Sequence, residues 1–303
     1  MKAKILYKKF LNDSKTVFEM LVDAPLIARK AQPGNFVIVR LNEEGERVPL
    51  TIADYDRSQG TITMVVLAIG KSTEALSRLE AGDTILDFVG PLGKPAELER
   101  YENPVVVIGG GVGIAAAYPQ AKEMKTIGNY VISIIGARTR ELLFWREKMK
   151  AVSDELIITT DDGSEGVHGR VTDALRPLLE QRRIDRVIAI GPLIMMKFVS
   201  ELTNGQNNLP KVKTTVSLNP IMVDGTGMCG GCRFMTLDNK IKFACVDGPD
   251  VDAHNVDFDN MLLRNDRFKE SEKLAKERYH KCLAEAQLQA EIESGGSVDS
   301  KTQ

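Results

Sequence analysis

Histidine is scarce in this chain of 303 residues: only His168, His254 and His280 are present, and none is given a catalytic role. Cysteine is limited to four residues, Cys229, Cys232, Cys245 and Cys282. The opening Met1-Lys-Ala-Lys-Ile has no apolar core of the kind a signal peptide needs. The longest apolar run, Val105 to Tyr118, is broken by four glycines and is too short and glycine-rich to cross a bilayer. Excess charge is missing as well: the net charge of −2 gives no electrostatic reason to expect nucleic acid or an anionic membrane as partner. Together these absences predict a cytoplasmic protein with reduced thiols, in which structural disulfides are disfavoured. What remains is an ordinary globular composition, 43% hydrophobic and 27% charged, long enough for two domains with their own cores.

Three of the cysteines lie in one glycine-rich stretch, Val223 to Cys245, with the spacing C-x2-C-x12-C. A plant-type [2Fe–2S] loop reads C-x4-C-x2-C followed by a distant fourth cysteine. Laid over this stretch, the template matches Cys229, Cys232 and Cys245, and its first position falls on Asp224. A carboxylate can ligate iron where a thiolate usually sits. Gly225, Gly227, Gly230 and Gly231 allow the backbone to curl and to point N–H groups at the sulfurs. Zinc is the competing reading. It usually takes four Cys or His ligands in two pairs, and here only His254 offers a remote fourth. Cys282, in a charged helical stretch, reads as a free thiol.

Residues 1–95 read as short strands with turn residues between them: Ala3–Tyr7, Val17–Val22, Phe36–Arg40, Val48–Asp54, Thr61–Leu67 and Thr84–Val89. That pattern predicts an antiparallel β-barrel, with one helix over Ser72–Leu79. Arg47 and Thr51, four apart at a strand start, can present a guanidinium suited to a diphosphate and a hydroxyl suited to a flavin nitrogen. Gly70, Lys71, Ser72 and Thr73 open the helix and offer N–H groups and hydroxyls to an anion.

After the turn-rich Pro91–Pro95 the pattern changes to alternating strands and helices. Strands are expected at Val105–Ile108, Tyr130–Ile135, Leu156–Thr159, Val187–Ile190 and Lys213–Val216. Helices are expected after Gly113, over Glu141–Val152, over Val171–Leu179 and over Ile194–Leu202. Repeated βα units mean a Rossmann-like parallel sheet. Its first strand ends in a glycine run in which Gly111, Gly113 and Ala116 satisfy G-x-G-x-x-A, where such sheets bind phosphate. The strand ends at Asp161-Asp162-Gly163 and Gly191-Pro192 fall on the same carboxyl edge. No acidic residue marks the second strand's end. Arg138 and Arg140 stand there instead, which leaves NAD and NADP both open.

The motifs R-V-P-L-T, G-P-L-G, G-G-G-V-G-I-A, G-P-L-I-M-M and the cysteine loop occur in that order over residues 3–262. The set resembles the ferredoxin-NADP reductase superfamily, and within it the electron-transfer subunits that carry FAD and a [2Fe–2S] cluster. The branches serve dihydroorotate dehydrogenase, sulfide dehydrogenase and NADH-dependent ferredoxin:NADP oxidoreductase. Asp224 in place of a first cysteine is similar to the last of these, as are Val256–Asp259 and the tail; Ala116 replaces a frequent proline. The resemblance implies that Arg47, Pro49, Leu50, Thr51, Gly70, Lys71, Ser72 and Thr73 hold FAD. It implies that Gly110 to Gly113, Asp161, Asp162, Gly163, Gly191, Pro192 and Met195 receive NAD(H) or NADP(H), and that Asp224, Cys229, Cys232 and Cys245 hold the cluster. It also implies a larger flavoprotein partner with [4Fe–4S] clusters, indirect contact with ferredoxin, and flavin-based electron bifurcation. A subunit of dihydroorotate or sulfide dehydrogenase is the alternative, and a zinc- or redox-sensing regulator is the alternative of another class.

The expected domains are 1–95 for FAD, 96–217 for the nucleotide, 218–262 for the cluster and 263–303 as a helical tail. In the tail, Glu272–Lys276 and Glu277–Lys281 are favourable i, i+4 pairs, and Leu274, Arg278, Cys282 and Ala286 share the expected face. It reads as a solvated helix packed loosely on the body, ending in a disordered stretch from Ser294.

Overall fold

The computed structural model describes residues 1–295. The expected disordered end therefore lies, from residue 296, outside the described residues; Ser294 and Gly295 belong to the last helix. Among the described residues no helix is long and apolar enough to cross a membrane.

The first strands are β1 (Ala3–Phe10), β2 (Val17–Asp23), β3 (Phe36–Arg40), β4 (Val48–Thr51), β5 (Asp54–Asp56), β6 (Thr61–Leu67), β7 (Thr84–Ile85) and β8 (Asp87–Leu92). Helices α1 (Pro25–Ala28) and α2 (Lys71–Leu76) are set among them. They form two antiparallel sheets rather than one continuous barrel ladder, in the orders β5-β6-β2-β1-β7 and β4-β3-β8. Phe18, Met20 and Val22 alternate inward from β2 and meet Val37, Val39, Phe88 and Leu76 in a shared core.

Two expected strands divide because the chain changes sheet within them. Val48–Asp54 splits at Ile52 and Ala53, which are fully buried; β4 pairs with β3, whereas β5 pairs with β6. Likewise β7 pairs with β1, and β8 with β3. The expected linker at Pro91–Pro95 begins two residues late, since Pro91 and Leu92 still belong to β8. The helix expected over Ser72–Leu79 is shorter, Lys71–Leu76.

The second half carries β9 (Val105–Gly110), α3 (Gly113–Thr126), β10 (Val131–Ala137), α4 (Arg146–Ala151), β11 (Glu155–Thr160), β12 (Val167–His168), α5 (Val171–Gln181), β13 (Arg186–Ile190), α6 (Leu193–Leu202) and β14 (Lys213–Ser217). Beyond them are β15 (Arg233–Met235), β16 (Ile241–Phe243), α7 (Ala244–Asp247), β17 (Asp250–Asp252), α8 (Phe258–Asn265) and α9 (Lys269–Gly295). The sheet order is β12-β11-β10-β9-β13-β14-β17, parallel except for β17. Every residue of β9 is buried, as a central parallel strand requires. The helix expected over Glu141–Val152 is interrupted. Leu143, Phe144 and Trp145 turn into the core, and the Trp145 indole N–H donates to Glu19 at 2.7 Å, so α4 starts only at Arg146. The cysteine segment is not free-standing: it contains the β15–β16 hairpin and returns β17 to the edge of the parallel sheet.

Asn35 ties the start of β3 to the end of β8. It is buried, its Nδ2 donates to the carbonyls of Leu92 (3.2 Å) and Gly93 (3.0 Å), and its Oδ1 accepts from the Gln32 N–H at 2.9 Å. Asn35→Ala orphans these groups and should lower stability by about 1–3 kcal/mol in equilibrium denaturation.

Candidate functional site

The first cluster of candidate residues lies along β4 and α2. Pro49 pairs with Ile38, and Thr51 with Phe36, so β4 is held in register against β3 while its side chains stay half-buried. Arg47 is exposed just before the strand. Thr73 Oγ1 accepts from the N–H groups of Ile69 (3.2 Å) and Gly70 (3.1 Å), which shapes the turn into α2. The Ser72 hydroxyl donates to the Glu46 carboxylate, and Lys71 Nζ lies 3.7 Å from it. Two donors thus already converge on one anionic group. Because Glu46 is exposed and can turn to solvent, the same donors fit a phosphate oxygen. Sequence reasoning missed Glu46, although it adjoins Arg47.

The second cluster lies on the carboxyl edge of the parallel sheet. Strand order reverses at β9, between β10 and β13, so a crevice opens where β9 and β13 end. Gly110 ends β9 and Gly191 follows β13. A Cβ on Gly110 would stand 2.3 Å from Met195 Sδ, and one on Gly191 would stand 2.8 Å from Met195 Cε. Gly110, Gly191, Pro192 and Met195 therefore touch one another across the crevice. Gly113 packs its Cα on β13, where a Cβ would come within 2.3 Å of the Ile190 carbonyl oxygen. The Asp161–Gly163 turn stands at the end of β11, two strands away. The Asp161 N–H donates to Ala137 O at 3.1 Å, and Asp162 is occupied with Ser164.

The third cluster is the cysteine loop. Cys232 and Cys245 are buried with their sulfurs 3.2 Å apart. Burial, with the adjacent Cys232, pushes the Cys245 thiol up to about 12. Two thiolates this close need a cation between them. Cys229 is exposed, and its N–H donates to Asp224 Oδ2 at 2.7 Å, while Thr226 N–H donates to Asp224 Oδ1 at 2.9 Å. The Thr226 and Cys229 N–H groups hold the Asp224 carboxyl below the usual carboxylate range, so it is anionic. The Gly231 N–H points at Cys229 Sγ from 3.4 Å. Among the described residues no three His, Cys, Asp or Glu side chains converge as ligands of a single ion. Cys232 and Cys245 are the two sulfurs brought together, while Asp224 meets Cys229 through its backbone N–H. Three cysteines and one carboxylate are a donor set that fits iron–sulfur ligation. His254 is not part of the loop's donor set: its Nε2 lies 3.1 Å from Thr203 Oγ1.

The first and third clusters share β3. Gly225 has φ +73°, and a Cβ there would fall 2.7 Å from Leu92 and 3.0 Å from Ile38. The cysteine loop is thus pressed onto the sheet that carries β4. Cys232, Cys245, Phe36, Ile38 and Met195 belong to or pack on one apolar core. Gly93 is wedged between Phe36 and Pro249, and the Lys94 N–H donates to Gly248 O at 2.7 Å.

Residues 219–257 match the iron-sulfur cluster binding domain of dihydroorotate dehydrogenase B. A dihydroorotate dehydrogenase B (NAD(+)) electron transfer subunit homolog from Thermotoga maritima is 48% identical over 271 residues, 89% of this chain and 94% of the relative. The dihydroorotate dehydrogenase B (NAD(+)) electron transfer subunit of Geobacillus kaustophilus is 31% identical, over 79% of this chain and 92% of its own. The chain belongs to the dihydroorotate dehydrogenase B electron transfer subunit family. A chain solved in the structure of the NADH-dependent reduced ferredoxin-NADP oxidoreductase, a system of flavin-based electron bifurcation, is 46% identical with a TM-score of 0.84, covering 91% of this chain and 97% of that one. The two antiparallel sheets, the parallel sheet and the cysteine segment are the parts of this ferredoxin-reductase-like fold, and a C-terminal helix follows them.

Family membership turns the loop geometry into tests. Cys245→Ser should remove the visible iron spectrum. Asp224→Ala and Asp224→Cys should each change the EPR spectrum or the iron content; no change in either would take Asp224 out of the ligand set. Gly113→Ala forces α3 off β13, and should weaken nicotinamide nucleotide binding about tenfold or more with the iron spectrum unchanged, as isothermal titration would read.

Proposed function

We propose that the chain is the electron-transfer subunit of a flavin-based electron-bifurcating NADH-dependent ferredoxin:NADP oxidoreductase. The observation that carries the reading is the seating of the cysteine loop on β3 and β8, beside the β4 strand proposed to line the flavin. The likeness to the solved oxidoreductase chain and the carboxylate at Asp224 favour this branch of the family. Residues 1–95 hold FAD in this reading, 96–217 the nicotinamide nucleotide and 218–262 the [2Fe–2S] cluster, with 263–303 as the tail.

Bound FAD would take a hydride from the nicotinamide and release its electrons singly, which is how a dinucleotide is coupled to an iron–sulfur cluster. The chain's own residues bind and orient. Arg47 and Lys71 would neutralise the diphosphate, and Gly70, Ser72 and Thr73 would donate hydrogen bonds to it. Pro49, Leu50 and Thr51 line the ring, with the Thr51 hydroxyl offered to a ring nitrogen. Gly110, Gly111 and Gly113 let the nucleotide backbone approach the start of α3, and Gly191, Pro192, Met195 and the Asp161–Gly163 turn flank it. Asp224, Cys229, Cys232 and Cys245 would hold the cluster. No side chain is asked to act as acid or base.

The complex so assembled is cytoplasmic and pairs this chain with a larger flavoprotein carrying [4Fe–4S] clusters, which meets ferredoxin. A second reading, the electron-transfer subunit of dihydroorotate dehydrogenase, is favoured by the cluster-domain match. Purification of the chain with its native partner separates the two. The expected complex reduces NADP⁺ only when NADH and reduced ferredoxin are supplied together. A partner that oxidises dihydroorotate would overturn the proposal.

A further inference from the structure

Leu274, Arg278, Cys282 and Ala286 share one face of the tail helix, and Leu274, Arg278 and Cys282 are exposed. The face that α9 turns inward carries Ala275, Lys276, Tyr279 and Leu283. Lys276 Nζ bridges Glu74 Oε1 (2.6 Å) and the Ile69 carbonyl oxygen (3.0 Å), and His280 Nε2 lies 2.6 Å from Glu74 Oε2. One carboxylate on α2 thus fastens two side chains of α9, four residues apart on a single helical face. Tyr279 lies between them and closes a cleft of about 220 Å³ whose other walls include Val39, Val48, Lys71, Ser72 and Thr73.

We propose that Tyr279 is a wall of the FAD site and covers the AMP half of the cofactor, with Glu74, Lys276 and His280 as the latch that positions it. The inference rests on the assignment of FAD to this cleft. Its direction follows from β4. Val48 lines the cleft, and Pro49 to Thr51 continue along the strand away from it, so the ring end of the flavin is placed there and the opposite end faces α9. Beside the phosphate-binding candidates Lys71, Ser72 and Thr73, the half-buried Tyr279 ring and Val48 line the cleft together with Asn42, Glu44 and Glu46, and the ring is a face on which a purine can stack. The short α2 alone leaves the cleft open on one side, and the tail supplies the missing side.

The test uses the full-length holoprotein, with Tyr279→Ala, Tyr279→Phe and Glu74→Gln as variants. FAD release is followed by the rise in flavin fluorescence on dilution, and FMN affinity is measured on the flavin-free protein. Loss of base–aromatic stacking should make Tyr279→Ala release FAD about tenfold faster. Tyr279→Phe should match wild type, and Glu74→Gln should fall between the two. FMN, which lacks the AMP half, should bind all of them alike. Unchanged FAD release in both Tyr279→Ala and Glu74→Gln, or equal weakening of FMN and FAD, would overturn the proposal. Should Tyr279→Ala not fold, Glu74→Gln carries the comparison alone. Wild-type protein that binds no flavin would instead sink the cofactor assignment on which the inference rests.

Discussion

The contact between Gly225 and the side chains of Ile38 and Leu92 is the constraint on which the site depends. A side chain at position 225 would have to occupy space already filled by β3 and β8, and the left-handed φ would strain it as well. The glycine therefore brings the loop backbone directly onto the sheet. Because β3 also fixes the register of β4, one strand sets the position of the loop's donors relative to the proposed flavin residues. Electron transfer between two centres depends steeply on their separation, so rigid packing here is functional as well as stabilising.

The nucleotide side is built by a similar device. Gly110 and Gly191 stand on neighbouring strands at the switch point, and Met195 fills the space their missing side chains leave. A thioether is a flexible, apolar filler that can yield to a ligand. The crevice is thus lined by a movable side chain, whereas the cysteine loop is held by the close packing of Gly225. The difference suits a nucleotide that comes and goes and a cluster that stays.

Much of this was legible in the sequence, because the features that reveal it are local. Period-two apolar patterns, the glycine run after Val105–Ile108 and the cysteine spacing each report on a few neighbouring residues. The sheet changes at Ile52–Ala53 and between β7 and β8 were not legible, since a run of apolar residues does not say which sheet each half joins. The break before α4 was hidden for a related reason: Leu143 to Trp145 carry helix-compatible chemistry, and only the core and Glu19 pull them out of the helix. Which face of α9 turns inward was not legible in the sequence either. The contacts that decide the face are polar ones to Glu74 and an aromatic ring on the cleft.

In the proposed function FAD stands between the nicotinamide and the cluster on the shared β3 scaffold. Anaerobic addition of NADH to the purified chain, with and without its FAD, tests this most directly when the cluster is followed by EPR. NADH should reduce the cluster in the FAD-loaded chain and leave it oxidised in the FAD-depleted one. Equal reduction in both, or zinc in place of iron and acid-labile sulfide in the loop, would contradict it.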